Sequence, residues 1–198
     1  MLRMITALCI LFGTPVAAMA DGNVQVTWSR GTLRMTGDAA RNAVRLSEDS
    51  RYHYVSGVPF GGDATTTQIT AGGSFVKQRS ATQVRILKFL VRNVDVALHG
   101  GADSFETTAL DGGPDSFVTV RGNLSIDMGP VEAVPTPDGN FIGYLVSLTS
   151  ATVVGATTLT AESSGNAVQG DQVGYVSIAD MDFQGPVTLL LGGGTDLV

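Results

Sequence analysis

The chain has 198 residues, of which 43% are hydrophobic and 15% are charged, with 25 glycines, one cysteine and a net charge of −6 at pH 7. The single cysteine, Cys9, lies within the first twenty residues, which leaves no thiol in the rest of the chain for a disulfide or a thiolate metal site. The acidic balance argues against a nucleic-acid partner, since nucleic acids are bound by clustered Lys and Arg.

Residues 1–20 have the pattern of a secretory signal peptide. Arg3 supplies a positive charge, residues 5–12 form a short apolar run, and Ala18-Met19-Ala20 is a cleavage site before Asp21. The run is too short for a membrane span, which requires about 20 residues. We therefore expect a secreted protein, extracellular or in the cell envelope, with one folded domain at 21–198 and no membrane span.

Charge is divided unequally between the two halves of this domain. Residues 21–92 contain ten basic and five acidic side chains, whereas residues 93–198 contain one basic side chain, Arg121, and 13 acidic ones. The halves therefore carry net charges of +5 and −12. We interpret this division as a means of maintaining solubility; the alternative is head-to-tail attraction between molecules, which would give end-to-end self-association.

A degenerate repeat begins at residues 29–44, SRGTLRMTGDAARNAV. Residues 153–168 and 183–198 align with this segment without a gap, and residues 91–105 and 120–134 align with one deletion each. Each copy has alternating apolar residues, which predict a strand with one buried face, followed by a Gly-rich turn. An acid or amide then recurs at one position, which is occupied by Asn42, Asp103, Glu132, Asn166 and Asp196.

A repeat of about 30 residues holding two or three short strands is typical of one coil of a β-solenoid. The sequence therefore predicts an all-β fold, a single-stranded parallel β-helix of five to six coils. Along its axis we expect one column of stacked leucines, Leu33, Leu124, Leu159 and Leu189. Residues 51–70 depart from the repeat and are interpreted as a loop or a cap, and residues 82–94 are compatible with a short helix or a strand. The last unit ends part-way through a coil, which predicts an uncapped C-terminal end.

The units GTLRMTGDAARNAV, GNLSIDMGPVEAV and VTLLLGGGTDLV resemble the repeats of secreted bacterial parallel β-helix proteins of adhesin type. This resemblance implies a structural or adhesive module at the cell surface, without catalytic activity, that binds a glycan or a surface protein. Some parallel β-helix proteins degrade polysaccharides, so the resemblance also leaves an enzyme as the alternative.

The segment GGGTDLV is also similar to the glycine-aspartate nonapeptide of the repeats-in-toxin family, which binds calcium between successive turns. That similarity implies a calcium-stabilised module with Asp103, Asp115 and Asp196 as ligands. The copies here are about 30 residues apart rather than in tandem, and Asn42 and Asn166 occupy the aspartate position. Alternatively, these side chains only close turns through hydrogen bonds to their own backbone.

Other candidate site residues are few. Asp180 and Asp182, two residues apart on a predicted strand, form a candidate catalytic carboxylate pair, or simply a solvated strand face. Tyr52 and Tyr54 share one side of another predicted strand, where they could stack on a sugar ring or pack at an edge. The chain has no P-loop, no H-E-x-x-H motif and no G-x-S-x-G motif.

Overall fold

A computed structural model describes residues 22–59, 66–109, 117–131, 134–135, 141–163, 172–192 and 195–197. Within these ranges the chain forms strands, with one 3₁₀ turn at Lys88–Leu90 and no α-helix. The strands are β1 (Asn23–Ser29), β2 (Thr32–Thr36), β3 (Ala43–Glu48), β4 (Tyr52–Gly57), β5 (Gln68–Gly72), β6 (Lys77–Ser80), β7 (Gln83–Leu87), β8 (Asn93–Ala97), β9 (Asp103–Ala109), β10 (Val118–Val120), β11 (Leu124–Val131), β12 (Val134–Pro135), β13 (Phe141–Val153), β14 (Thr157–Ser163), β15 (Gln172–Phe183), β16 (Val187–Leu191) and β17 (Thr195–Leu197).

The strands form two mixed sheets. The first sheet has the order β16-β14-β11-β8-β2-β1-β5, and the second has the order β17-β15-β13-β9-β3-β4-β7-β6, with β10 and β12 also paired to β13. From β8 onward, leaving aside the short strands β10 and β12, the chain adds strands alternately to the two sheets, and the new strand lies parallel to its predecessor in each. The short strand β12 is antiparallel to β13. In the N-terminal part the direction reverses, because β1 is antiparallel to β2 and β4 is antiparallel to β3 and β7.

Alternation of apolar and polar residues explains how the sheets pack. In β2, Leu33 and Met35 are fully buried, whereas Arg34 between them is exposed. The same alternation places Val94 and Val96 of β8 inside. Inward-facing side chains of both sheets belong to one hydrophobic cluster, so the domain has a continuous core between them.

A two-residue hairpin loop, Arg30-Gly31, joins β1 to β2. Both residues have positive φ, 50° for Arg30 and 83° for Gly31, and Ser29 pairs with Thr32 across the loop. A loop of this length needs left-handed backbone to match the twist of the strands, and glycine adopts it without steric cost.

Gly31→Ala is expected to lower the free energy of unfolding by about 1 kcal/mol, because alanine is strained at positive φ. Urea denaturation would measure the change. Gly73→Ala is a comparison at another positive-φ glycine, where an added Cβ meets nothing within 4 Å. A Gly31→Ala variant as stable as the natural chain would contradict the assignment of this loop.

The predicted single-stranded parallel β-helix of five to six coils is wrong, because the structure consists of two mixed sheets with long-range pairing. Alternation identifies a buried strand face, but it is the same for parallel and antiparallel neighbours. Segment 51–70, interpreted as a loop or a cap, contains β4 and the start of β5. Segment 82–94 contains β7, the 3₁₀ turn and the start of β8.

The expected single column of leucines is also wrong. Leu33 lies in register with Leu124, through Val94 of β8, whereas Leu159 and Leu189 lie in the next inward-facing row. That row also contains Met35, as the alignment of residues 29–44 with 153–168 requires. A shift of two residues keeps a side chain on the same face, so burial alone could not separate the rows.

The mixed sheets also contradict the resemblance to parallel β-helix adhesins and to the repeats-in-toxin family. The predicted signal peptide, residues 1–20, lies outside the described residues, and nothing in the structure supports secretion. In the described part of the chain, no helix has the length and apolar character required to cross a membrane.

Candidate functional site

The first sheet contains an inward-facing row that is buried everywhere except at its last member. Leu33, Val94, Leu124, Thr157 and Val187 lie in register across β2, β8, β11, β14 and β16. The first is 0% exposed, the next three are each 1% exposed, and Val187 is 42% exposed. In the part of the chain that the structure describes, the core side of β16 is therefore uncovered at Val187, whereas Leu189 and Leu191 of the same strand are partly buried against the core.

The second sheet ends in the same way. Leu46, Thr107, Leu148 and Ile178 lie in register across β3, β9, β13 and β15. They are 0%, 2%, 1% and 38% exposed, respectively. The short strand β17 pairs with β15 only at Val173–Tyr175 and does not reach Ile178. We call this surface, formed by β15 and β16 around Ile178 and Val187, the open end.

Two acidic side chains lie on β15, one of the two strands that form the open end. Asp180 and Asp182, the predicted carboxylate pair, are both exposed on β15. Asp180 has a φ of 53° and pairs with no residue of β13, so the regular alternation of the strand is interrupted there. Asp182 accepts a hydrogen bond of 2.9 Å from Nε2 of Gln184. Their catalytic role stays a prediction; the structure shows two solvated carboxylates.

The opposite edges of both sheets meet at a closed end. β5 and β6 are the outer strands there, and they contact each other. Ile69 of β5 and Val76, which directly precedes β6, are buried. The ring of Phe75 packs on the ring of Trp28, with the two ring centroids 4.6 Å apart. All four residues of β6, including Lys77 and Arg79, are exposed. We call this surface, formed by β5 and β6, the basic end.

A buried polar cluster lies between the two ends, around Glu48 at the end of β3. The carboxylate of Glu48 accepts hydrogen bonds from Lys88 Nζ and, at 2.9 Å, from the backbone N–H of Thr119. His53 Nδ1 is 3.3 Å from Glu48 Oε2, but the geometry is not that of a hydrogen bond. Burial, together with the positive charges of Lys88 and Arg121, lowers the pKa of His53 to about 4. The imidazole is therefore neutral at pH 7.

No pattern in the sequence indicates that the members of this cluster lie together. Lys88 and Thr119 are 40 and 71 residues from Glu48, so only the fold brings them together.

Asp103, predicted as a calcium ligand, is instead paired with Asn42. Its Oδ1 accepts hydrogen bonds from Asn42 N at 2.8 Å and from Asn42 Nδ2 at 3.3 Å, whereas Asp103 Oδ2 has no hydrogen-bond partner. Burial raises the pKa of Asp103 to about 8, although the hydrogen bonds from Asn42 and Gly100 act to lower it. The contact joins strand neighbours 61 residues apart, at the position where the repeat aligned them.

Neither of the other two predicted calcium ligands has a side chain that the structure describes. Asp115 lies outside the described residues, and Asp196 is described only as part of β17. Among the residues that the structure describes, no group of three or more His, Cys, Asp or Glu side chains is placed to hold a metal ion. The calcium site stays a prediction.

Tyr52 and Tyr54 lie together on the outer face of the second sheet, as expected, with ring centroids 6.2 Å apart. Tyr54 is buried, and its hydroxyl donates a hydrogen bond of 2.6 Å to Asp49 Oδ2. That hydrogen bond, with burial, raises the pKa of Tyr54. Burial acts to raise the pKa of Asp49, but the hydrogen bonds from Tyr54, Arg51 and Tyr52 outweigh it and lower that pKa.

One shallow cavity of about 240 Å³ lies on the outer face of the first sheet, lined by Thr27, Ser29, Arg30, Thr32 and Arg34. Arg34 Nε there is 2.8 Å from Asp95 Oδ2, which commits its charge to an ion pair.

Comparison with protein-family models, with curated proteins and with solved structures finds no match for this chain. The function must therefore be inferred from the two ends and the surfaces described above.

Proposed function

We propose that this chain is a structural module that binds further copies of itself end to end. The open end of one copy packs on the basic end of the next. The observation that carries the proposal is the exposure of Val187 and Ile178, each the last member of an otherwise buried row. Covering an aliphatic side chain contributes up to about 1.5–3 kcal/mol when it is complete, so these two half-exposed residues favour an additional layer.

Charge supports a head-to-tail arrangement over a tail-to-tail one. The C-terminal segment 93–198 has a net charge of −12, and residues 21–92 have a net charge of +5. Two open ends would bring Asp180 and Asp182 of both copies together, and like charges repel. An open end facing β6 instead places these carboxylates near Lys77 and Arg79.

Strand direction is consistent with this arrangement in both sheets. β5 runs antiparallel to β16, because the only reversal across the first sheet lies between β1 and β2. β6 likewise runs antiparallel to β17 after three reversals in the second sheet. Stacked copies can therefore pair β17 with β6 as an antiparallel ladder, which would satisfy backbone groups that an edge strand leaves free. The outer edge of β5 is already bonded within the chain, since the Ile69 N–H donates to Ala81 O and the Ala71 N–H donates to Gln78 Oε1.

Val187→Asp is expected to abolish self-association, because it places a charge in the inward-facing row at the interface. The mass of the natural chain should rise with protein concentration in sedimentation or light scattering, and salt should weaken that rise. Val154→Asp is the matched control, since Val154 is 43% exposed but lies in a turn after β13. A natural chain that stays monomeric at high concentration and low salt would refute the proposal.

Mixing two defective variants separates head-to-tail from tail-to-tail binding. Val187→Asp retains the basic end, and Lys77→Glu/Arg79→Glu retains the open end. Each variant alone should be monomeric, and an equimolar mixture should form a dimer that grows no further. Dimerisation of Lys77→Glu/Arg79→Glu alone, strengthened by salt, would show that two open ends bind each other.

A further inference from the structure

A cluster of arginines surrounds Tyr52 and Tyr54 on the outer face of the second sheet. The guanidinium carbon of Arg85 is 4.5 Å from the centroid of the Tyr52 ring, and that of Arg51 is 6.0 Å from the same centroid. The guanidinium carbon of Arg79 is 5.6 Å from the centroid of the Tyr54 ring. These distances are within the range of cation–π attraction. We call these five residues the arginine–tyrosine patch.

The charges of this patch are not committed to ion pairs. Within the described ranges, Arg51, Arg79 and Arg85 make no salt bridge with a carboxylate. Arg45, on the same sheet, provides the contrast, because its Nε is 2.5 Å from Glu106 Oε1. Asp49, the nearby acid, accepts hydrogen bonds from the hydroxyl of Tyr54 and from two backbone N–H groups. Arg51 and Arg85 are therefore available to an external anion in every copy, and Arg79 is available wherever the basic end is not covered by a further copy.

We propose that the arginine–tyrosine patch binds polysaccharides that carry carboxylate groups. A guanidinium packed on an aromatic ring is held in a fixed plane, and its N–H groups then match the two oxygens of a carboxylate. Three such groups on one surface can bind successive carboxylates of one chain, which adds the effects of individually weak contacts.

The same geometry disfavours nucleic acid as the ligand. Proteins that bind single strands stack bases on free aromatic faces. Here arginines are placed over both rings, and Tyr54 is buried. The patch thus offers guanidinium donors and no free aromatic platform for a base.

Binding of polygalacturonate should be measured by calorimetry on the Val187→Asp variant and on the natural chain, so that the result does not depend on self-association. Arg51→Gln/Arg85→Gln is expected to weaken binding by about ten-fold or more, because charge-assisted hydrogen bonds are lost. Arg45→Gln is the control and should bind like the parent, since its charge is already paired. Arg85→Lys should recover only part of the affinity, because lysine keeps the charge without the planar fork.

Three further probes complete the test. Neutral dextran should not bind, and dextran sulfate and a single-stranded DNA of similar charge should bind more weakly than polygalacturonate. No binding of polygalacturonate, or an equal loss in Arg45→Gln, would overturn the proposal. Tighter binding of DNA or of dextran sulfate would overturn the assignment to carboxylates.

Discussion

At pH 8 the Asp103→Asn variant is expected to be more stable than the natural chain by several kcal/mol, whereas near pH 4 the two should be about equally stable. Burial raises the pKa of Asp103 from 3.8 to about 8, so between these values the folded chain binds a proton that the unfolded chain has lost. The stability that Asp103 contributes is thus present below pH 3.8 and is lost as the pH rises through 8. At about 1.4 kcal/mol per pKa unit, the total is on the order of 5 kcal/mol.

Asparagine preserves the shape of the side chain and the acceptor that Asn42 uses, but it cannot ionise. Urea denaturation at pH 4, 6 and 8 would therefore show the difference between the two chains growing with pH. Asp95→Asn, at an exposed ion pair with Arg34, is the control and should change stability by less than about 1 kcal/mol at each pH. An Asp103→Asn variant that is less stable than the natural chain at pH 8 would contradict the raised pKa of Asp103.

His53 changes the stability of the fold with pH in the opposite direction to Asp103, and over a different pH range. Its pKa falls from 6.5 to about 4 on folding, so its contribution is present above pH 6.5 and is lost as the pH falls through 4. In the natural chain, His53 and Asp103 therefore change the free energy of unfolding in opposite directions as the pH changes below 6.5. The Asp103→Asn variant should therefore reveal a stability that rises between about pH 4 and 6.5.

Glu48→Ala is expected to cost about 3–5 kcal/mol, because it removes the carboxylate that pairs with Lys88 in a largely buried site. The backbone N–H of Thr119, which donates to Glu48 at 2.9 Å, would lose its acceptor as well. The double variant Glu48→Gln/Lys88→Met removes both charges and keeps an acceptor near Thr119, so we expect it to recover most of the loss.

Urea denaturation of Glu48→Gln, Lys88→Met and the double variant would measure the coupling between the two residues, and Glu48→Ala measures the full loss of the carboxylate. Arg45→Met provides the control at the exposed pair with Glu106, where the expected cost is below about 1 kcal/mol. A Glu48→Ala variant that loses less than about 1 kcal/mol, or a double variant no better than Glu48→Ala, would contradict the role assigned to this cluster.

The sequence predicted the strands of this fold better than their directions. The gapless alignment placed Met35, Leu159 and Leu189 at one position, and the structure places them in one row. The antiparallel strands β4, β6 and β7 could not be predicted in the same way, because their alternation is compatible with either direction. The hairpin at Arg30-Gly31 could have been predicted, since a two-residue loop containing glycine between alternating segments is typical of a β-hairpin.

In the candidate sites, likewise, features that lie within one strand could be predicted from the sequence, whereas features that combine distant segments could not. The common face of Tyr52 and Tyr54 follows from alternation within one strand, and the structure has it. The arginines over these rings come from β6 and β7 as well as from the turn before β4, so their assembly required the pairing of three segments. Exposure of Val187 and Ile178 depends on which strand ends each sheet, a property of the whole topology.

The reversal of strand direction in the N-terminal part of both sheets gives the molecule two unlike edges. A filament of stacked copies would therefore be polar, with one tip exposing β16 and the other exposing β5 and β6. Subunits would join the two tips at different rates. Trace amounts of Val187→Asp would stop growth at only one of them, because a copy that joins through its basic end leaves a defective open end behind it.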